Sequence, residues 1–237
     1  GDHRDLHLSF RRQRQMCIRD RYDNASEFSS MTPTFVHYLR SLGYRTCLSG
    51  KMHFIGPDQK HGFEDRVTTD IYPSDFAWTP DWEHPDERID KWYHNMQTVK
   101  ESGVAEATFQ IDYDEEVAFF AKRKLFDYAR DNVNPFCMVV SFIHQRDPYV
   151  ARKDRRDLYS DGDIDMPNNC FSKENQDPFS KRLMEGIEAS TIHLSDEEIR
   201  RARHAYFSNV SYFDSKVGEI VKTLKETNNF ENTVIII

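Results

Sequence analysis

The sequence predicts an α/β fold, with a mostly parallel sheet flanked by helices, of which this chain holds a part. Apolar residues at helical spacing are followed by a short apolar strand at 35–48, and again at 117–143. The second strand is apolar on both faces, as is typical of parallel sheets covered by helices. Each strand runs directly into a polar cluster, and open α/β sheets bind ligands at the carboxyl ends of their strands.

Composition narrows the class of protein. The 237 residues are 38% hydrophobic and carry a formal net charge of -8, which argues against a nucleic-acid partner. The mean hydropathy of -0.77 is low for one compact domain and favours a loop-rich domain or part of a larger protein. No apolar run is long enough to span a membrane. The four cysteines are widely spaced, without a Cys-x-x-Cys pair, so we expect a reducing, cytoplasmic location.

Residues 1–21 differ from the rest of the chain. They contain six arginines and three aspartates, a net charge of +3, and show no amphipathic period. Such a segment is either a basic arm for anionic partners or an adapter-derived stretch foreign to the protein. We favour the second interpretation and expect 1–21 to be non-native or disordered. The catalytic domain is then predicted at 22–237, in incomplete form.

A helix, a strand and a polar loop follow one another from Thr32 onward. Thr32-Pro33 provides an N-cap and a first-turn proline, and Gly43 ends the helix. Apolar residues recur along it at helical spacing: Phe35, Val36, Tyr38, Leu39 and Leu42. The predicted strand 44–48 leads directly into the loop 49–56.

Lys51 and His53 make this loop a candidate anion site. In an extended segment, residues two apart project to the same side. A fixed cation beside a titratable imidazole suits an oxyanion such as a sulfate or phosphate ester. The alternative is a solvated loop that carries a lysine and a histidine without using them.

The stretch 57–111 is rich in aromatic residues and prolines and includes all three tryptophans. It is either a satellite hydrophobic cluster under a long loop or a specificity lid. Aromatic faces attract cations, and quaternary ammonium groups are their best-known ligands of this kind.

A second polar cluster follows the second strand. Asp112 and Glu115 predict the start of a helix, whose apolar stripe includes Val117 and Tyr128. The strand 136–143 then leads into residues 144–149, which include His144 and Arg146. Since carboxyl ends of parallel strands share one edge of a sheet, the two clusters are predicted to converge on one site.

The last third of the chain holds one long predicted helix. Asp161–Asp165 resembles the start of a calcium loop but lacks the required later glycine and glutamate, so an acidic turn is predicted. Ser195 and Glu198 form a capping box for a helix that runs to about Leu224. An apolar strand is predicted at 233–237, and its position at the end of the chain indicates truncation.

Several motifs together resemble one known family. They are Pro33-Thr34-Phe35, Gly43-Tyr44-Arg45-Thr46, Leu48-Ser49-Gly50-Lys51-Met52-His53-Phe54, His61-Gly62-Phe63-Glu64, Thr68-Thr69-Asp70-Ile71-Tyr72-Pro73, Trp78-Thr79-Pro80-Asp81-Trp82 and Trp92-Tyr93-His94-Asn95-Met96. The chain resembles the sulfatases of the alkaline-phosphatase-like superfamily, from about Tyr22 to Ile237. The aromatic insert resembles the choline-sulfatase branch.

The resemblance implies roles for individual residues. Lys51 matches the lysine that contacts the sulfate ester, and His53 matches the histidine that assists the nucleophile. Trp78, His94 and Asn95 match residues of the choline pocket.

One turn departs from the family pattern. The family has a Pro-His-Asp-Pro turn after the second strand, where this chain has Gln145-Arg146-Asp147-Pro148. Arg146 stands in place of the sulfate-binding histidine, and His144 lies two residues earlier. An arginine binds sulfate but does not donate a proton, so leaving-group protonation is in question.

The resemblance also implies a formylglycine nucleophile, formed from a cysteine in Cys-x-Pro/Ala-x-Arg, and a calcium site. Cys17 and Arg21 have the spacing of that motif, but Arg19 stands where a small residue or proline belongs, so we interpret the match as coincidence. Nucleophile and metal ligands are expected outside this chain, which is expected to be inactive alone.

The implied function is hydrolysis of choline O-sulfate by a homo-oligomeric sulfuric ester hydrolase without nucleic-acid or membrane partners. Two alternatives remain open. One is a phosphonate or phosphodiester hydrolase of the same superfamily. The other is a catalytically inactive module that binds a quaternary amine.

Overall fold

The computed structural model describes residues 26–72, 74, 83–84, 95–131, 133–168 and 176–237. Parallel sheets with flanking helices confirm the predicted α/β class. The strands are β1 (Arg45–Gly50), β2 (Asp65–Arg66), β3 (Gly103–Val104), β4 (Phe136–Ser141) and β5 (Val150–Ala151). The α-helices are α1 (Phe35–Ser41), α2 (Gln97–Lys100), α3 (Phe109–Arg130), α4 (Lys153–Arg156), α5 (Pro178–Gly186) and α6 (Asp196–Glu226). Short 3-10 helices lie at Asp161–Asp163 and Phe230–Asn232.

The described residues belong to two compact units. Unit 1 comprises residues up to 88 together with 116–141 and 227–229. Unit 2 comprises 89–115, 142–226 and 230–237. Helix α3 contributes its first residues to unit 2 and the remainder to unit 1.

Unit 1 is built on a three-stranded parallel sheet in the order β2–β1–β4. The register of the central pair runs from Arg45 opposite Phe136 to Gly50 opposite Ser141. Every residue of β1 after Arg45 is buried, as expected for a central strand covered on both faces. The sequence therefore located this strand correctly, although it extends two residues further than predicted.

Helix α1 differs in detail from its prediction. Its N-cap is Thr34 rather than Thr32, and the Thr34 backbone N–H donates to Nδ1 of His37 at 3.0 Å. Within the helix only Val36 is buried; it joins a core cluster with Leu48 and two phenylalanines. The predicted apolar stripe is wrong in part, because Phe35, Tyr38 and Leu42 are each more than half exposed.

Unit 2 contains the two-stranded parallel pair β3–β5 and the long helix α6. The predicted capping box is confirmed. The Ser195 backbone N–H donates to Oε2 of Glu198 at 2.7 Å, and the Glu198 N–H donates to Oγ of Ser195 at 3.2 Å. The acidic turn predicted at 161–165 is confirmed in part: Asp161–Asp163 form an exposed 3-10 turn, and Ile164 is buried.

Replacing Ser195 with alanine removes one half of this cap. We expect Ser195→Ala to lower the free energy of unfolding by about 1 kcal/mol, because the Glu198 N–H loses its acceptor. Urea denaturation followed by circular dichroism measures the change. Ser195→Asp, which keeps an acceptor at the N-cap, serves as the control and should stay close to the parent.

The strand predicted at 233–237 is wrong. The segment has no strand pairing in the structure, and Val234, Ile236 and Ile237 are each at least 87% exposed. A strand requires a hydrogen-bonded neighbour, and in the described part of unit 2 the ladder is formed by β3 and β5 alone. None of the described helices is long and apolar enough to cross a membrane.

Candidate active site

The loop after β1 begins at a point of very close backbone contact. Gly50 has a left-handed backbone, with φ +111°, and a Cβ added there would lie 1.9 Å from the carbonyl oxygen of Ser141. Directly after it, the Lys51 N–H donates to that same oxygen at 3.0 Å. The end of β4 therefore fixes the point at which the chain leaves β1.

His53 does not have the backbone that the sequence suggested. Its φ is +54°, in the left-handed region, and β1 ends at Gly50. The alternation of an extended segment therefore does not apply between Lys51 and His53. Both side chains are partly buried.

A buried carboxylate holds this loop. Oδ2 of Asp70 accepts the backbone N–H of Met52 at 2.9 Å and that of His53 at 2.6 Å. The same oxygen lies 3.2 Å from a guanidinium nitrogen of Arg66, and both of these side chains are less than 10% exposed. Carboxylate bonds to N–H groups are among the stronger hydrogen bonds in proteins, so the loop is firmly tied to Asp70.

The Lys51 ammonium lies over an aromatic face. Its Nζ is 5.0 Å from the ring centroid of Tyr72, within the range of a cation–π contact. An open cavity of about 580 Å³ in unit 1 has Arg66, Asp70 and Tyr72 in its lining. The residues that hold the loop thus also border a space large enough for a small ligand.

Unit 2 contains a buried histidine–carboxylate pair. Nδ1 of His144 lies 2.7 Å from Oδ2 of Asp114, and both side chains are fully buried. The Asp114 carboxylate also accepts the N–H of Ile143 at 2.8 Å and that of His144 at 3.2 Å. The Asp114 carboxylate favours a proton on Nδ1, and in that tautomer Nε2 is an acceptor. That Nε2 is buried and has no hydrogen-bond partner among the described residues.

An aromatic ring packs against His144 and links it to a carboxylate. The Tyr212 ring packs edge-on against it with centroids 5.0 Å apart, and its hydroxyl lies 3.1 Å from Oε1 of Glu115. Burial, followed by the negative charge of Glu115, raises the pKa of Tyr212, so the phenol stays protonated. Glu115 in turn accepts from the buried ammonium of Lys216 at 2.6 Å.

The family profile of the sulfatases matches residues 11–237. The chain belongs to the sulfatase family. It is 51% identical over 220 residues to a choline-sulfatase of Rhizobium meliloti (strain 1021), which covers 91% of this chain and 43% of that protein. It is 23% identical over 228 residues to an iduronate 2-sulfatase of Mus musculus, which covers 85% of this chain and 38% of that protein. The family resemblance seen in the sequence is confirmed.

A solved structure shares the fold of this sulfatase-family chain. The phosphonate monoester hydrolase SpPMH from Silicibacter pomeroyi superposes with a TM-score of 0.56 at 16% identity, over 89% of this chain and 47% of that one. The chain spans less than half the length of the curated relatives described above.

The two residues considered for the second cluster of the sulfatase site have different surroundings. His144 is buried, whereas Arg146 is exposed. The predicted convergence of the two clusters stays a prediction.

Among the three residues predicted for the choline pocket, Asn95 is partly buried, and its amide nitrogen donates to Oε2 of Glu188 at 2.5 Å. Trp78 and His94 lie outside the described residues.

The family implies a calcium ion and a formylglycine formed from a cysteine. No group of three or more His, Cys, Asp or Glu side chains in the described parts of the chain is arranged to hold a metal ion. Cys17 lies outside the described residues, and Cys47 does not fit a nucleophile. Burial raises the pKa of the Cys47 thiol to about 12, which keeps it protonated.

Sequence reasoning missed Asp70 and Asp114. Asp114 lies three residues before Val117, so it shares a helix face with the apolar stripe of α3, and a carboxylate there was a usable signal. Asp70 lies in the family-like motif Thr68-Thr69-Asp70-Ile71-Tyr72-Pro73, but the motif alone did not give it a role. Only the folded chain brings its carboxylate to the loop after β1.

Proposed function

We propose that the protein hydrolyses sulfate esters and that its substrate is choline O-sulfate. The observation that carries the proposal is the 51% identity to a choline-sulfatase over most of this chain. The chemistry of the loop after β1 supports it. This loop offers one ammonium and one imidazole at the end of a parallel strand, where α/β folds bind their ligands.

Lys51 is assigned to the sulfate group. A fixed ammonium stabilises negative charge that builds up on ester oxygens as the sulfur–oxygen bond breaks, and such groups act most strongly where water is excluded. His53 is assigned to proton handling at the same group, since a neutral imidazole both accepts and donates. The formylglycine and the divalent cation implied by the family would supply the attacking oxygen and a Lewis acid.

His144 is assigned to the substrate through its Nε2 atom. Asp114 fixes the tautomer, so that Nε2 presents its lone pair or, once protonated, a proton. Because a buried polar atom without a partner is costly, the free Nε2 favours a polar ligand contact at this position. This assignment answers the question raised by Arg146, since a histidine can protonate a leaving group and an arginine cannot. Arg146, which is exposed, is assigned to sulfate binding only.

Asn95 is assigned, with Trp78 and His94, to the choline group. Its amide is held by Glu188, whose carboxylate adds negative charge near that position. A negative charge and aromatic faces both favour a quaternary ammonium over a neutral aryl group. The homo-oligomer and the cytoplasmic location stay predictions.

Turnover by the full-length protein containing this chain tests the proposal. We expect kcat/KM for choline O-sulfate to exceed that for an aryl sulfate and for a phosphonate monoester. Faster turnover of the aryl sulfate would overturn the choline assignment, and faster turnover of the phosphonate would favour the hydrolase alternative. Choline binding by calorimetry without hydrolysis of any of the three esters would favour the inactive module.

Lysine replacement tests the assignment of Lys51. We expect Lys51→Ala to lower kcat/KM by about 10²–10³-fold, as loss of one charge-stabilising group does. Lys222→Ala is the matched control, since this exposed lysine pairs only loosely with Glu226 at 3.7 Å. Equal rates for the two variants would remove Lys51 from the site.

A further inference from the structure

The loop that carries Lys51 and His53 has an unusual backbone. Gly50, His53 and Gly56 all have left-handed φ values, of +111°, +54° and +96°. Glycine adopts this region readily, but a residue with a side chain does so only when its surroundings hold it there. His53 therefore needs a partner that fixes its backbone.

Asp70 is in a position to be that partner. A single oxygen, Oδ2, accepts both the Met52 N–H and the His53 N–H, at 2.9 and 2.6 Å. The Asp70 side chain is only 3% exposed, so water does not compete strongly for these N–H groups. The two bonds hold the peptide groups on either side of Met52, which join it to Lys51 and to His53, and so restrict the backbone from which both side chains project.

Gln59 holds the other end of the loop. The Gln59 amide nitrogen donates to the carbonyl oxygens of Phe54 at 2.8 Å and Gly56 at 2.7 Å. Its amide oxygen accepts from Arg66 at 2.6 Å, and Arg66 also contacts Asp70. Gln59, Arg66 and Asp70 thus form a bracket that holds residues 52–56 at both ends; we call it the Gln59–Arg66–Asp70 bracket.

We propose that Asp70, supported by the Gln59–Arg66–Asp70 bracket, is the positioning residue that sets the direction of Lys51 and His53 for sulfate-ester cleavage. Asp70 acts through the backbone of the loop and does not touch the substrate. The proposal rests on the proposed function of Lys51 and His53. Its alternative is that Asp70 serves only as the counter-ion of the buried Arg66.

An asparagine in place of Asp70 distinguishes the positioning role from the counter-ion role. In Asp70→Asn, the amide oxygen can take the place of Oδ2 and keep both backbone bonds, but the negative charge beside Arg66 is lost. In Asp70→Ala, the bonds and the charge are both lost. A positioning role therefore predicts that asparagine rescues what alanine removes, and a counter-ion role predicts that it does not.

Nuclear magnetic resonance of this chain tests the bracket independently of turnover. We expect the amide protons of Met52 and His53 to exchange slowly in the parent and in Asp70→Asn, and at least ten-fold faster in Asp70→Ala. Asp65→Asn is the matched control, since Asp65 pairs with Lys124 at 2.6 Å in the same unit, away from the loop. Unchanged exchange in a folded Asp70→Ala protein would overturn the proposal.

Kinetics of the full-length protein test the consequence for catalysis. We expect Asp70→Ala to lower kcat by about 10²-fold with a smaller change in KM, as misplacement of reacting groups by about 1 Å does. Asp70→Asn should stay within ten-fold of the parent. An Asp70→Asn variant as slow as Asp70→Ala would overturn the positioning role.

A second variant covers the case in which Asp70→Ala does not fold. Gln59→Ala leaves the Asp70 bonds in place but frees the far end of the loop, so kcat should fall while the Asp65→Asn control keeps the parent value. A Gln59→Ala variant with parent kcat would contradict the bracket. If the parent itself does not cleave sulfate esters, the proposed function fails, while the amide exchange still reports on the bracket.

Discussion

Gly50→Ala is expected to lower the free energy of unfolding by about 4 kcal/mol or more, among the largest effects of a single substitution. Two costs add. A φ of +111° is unfavourable for any residue with a Cβ, and the new Cβ would meet the Ser141 carbonyl oxygen at 1.9 Å. Relief requires β1 and β4 to separate at the end of their ladder, with loss of the Lys51 N–H bond to the same oxygen.

Gly43→Ala is the matched control for Gly50→Ala. Gly43 also has a left-handed backbone, with φ +87°, but an added Cβ there meets nothing within 4 Å. It should therefore show the backbone cost alone, about 1 kcal/mol. Chemical denaturation of both variants separates the two costs, and a Gly50→Ala loss no larger than that of Gly43→Ala would contradict the close approach of the strands.

Asp114→Ala is expected to destabilise the protein by about 3–5 kcal/mol, because it leaves three buried donors without an acceptor, at about 1–3 kcal/mol each. Three donors would lose their acceptor: the backbone N–H groups of Ile143 and His144 and the Nδ1 of His144. Each is buried, so water does not replace the carboxylate. The His144 ring would also lose the contact that fixes its tautomer.

Asp112→Ala is the matched control for Asp114→Ala. Asp112 is exposed in the first turn of the same helix, where an acidic residue contributes under about 1 kcal/mol. Denaturation gives the stability difference, and nitrogen-15 shifts of the His144 ring report the tautomer. If Asp114→Ala costs no more than Asp112→Ala, or if the tautomer is unchanged in the folded variant, the role given to Asp114 is wrong.

The sequence predicted those features that depend on residues near one another in the chain. The helical period and the Ser195–Glu198 capping box located α6, and continuous apolar runs located β1 and β4. The motif around Gly50-Lys51-Met52-His53 identified the family, since family motifs are by nature local. Where local signals were ambiguous, as at the N-cap of α1 and the apolar run at 233–237, the predictions were wrong in detail because pairing and burial depend on partners distant in sequence.

The amino-acid sequence by itself determined the fold class, the sulfatase family and the candidate residues Lys51, His53 and His144. Only the tertiary structure showed what holds them. Asp70 lies 17 residues beyond His53, and Asp114 lies 30 residues before His144. The position of a buried carboxylate is set by which N–H groups folding brings within hydrogen-bonding distance, and no local pattern of residues specifies that. The candidate residues could therefore be read from the sequence, whereas the contacts that position them required the folded chain.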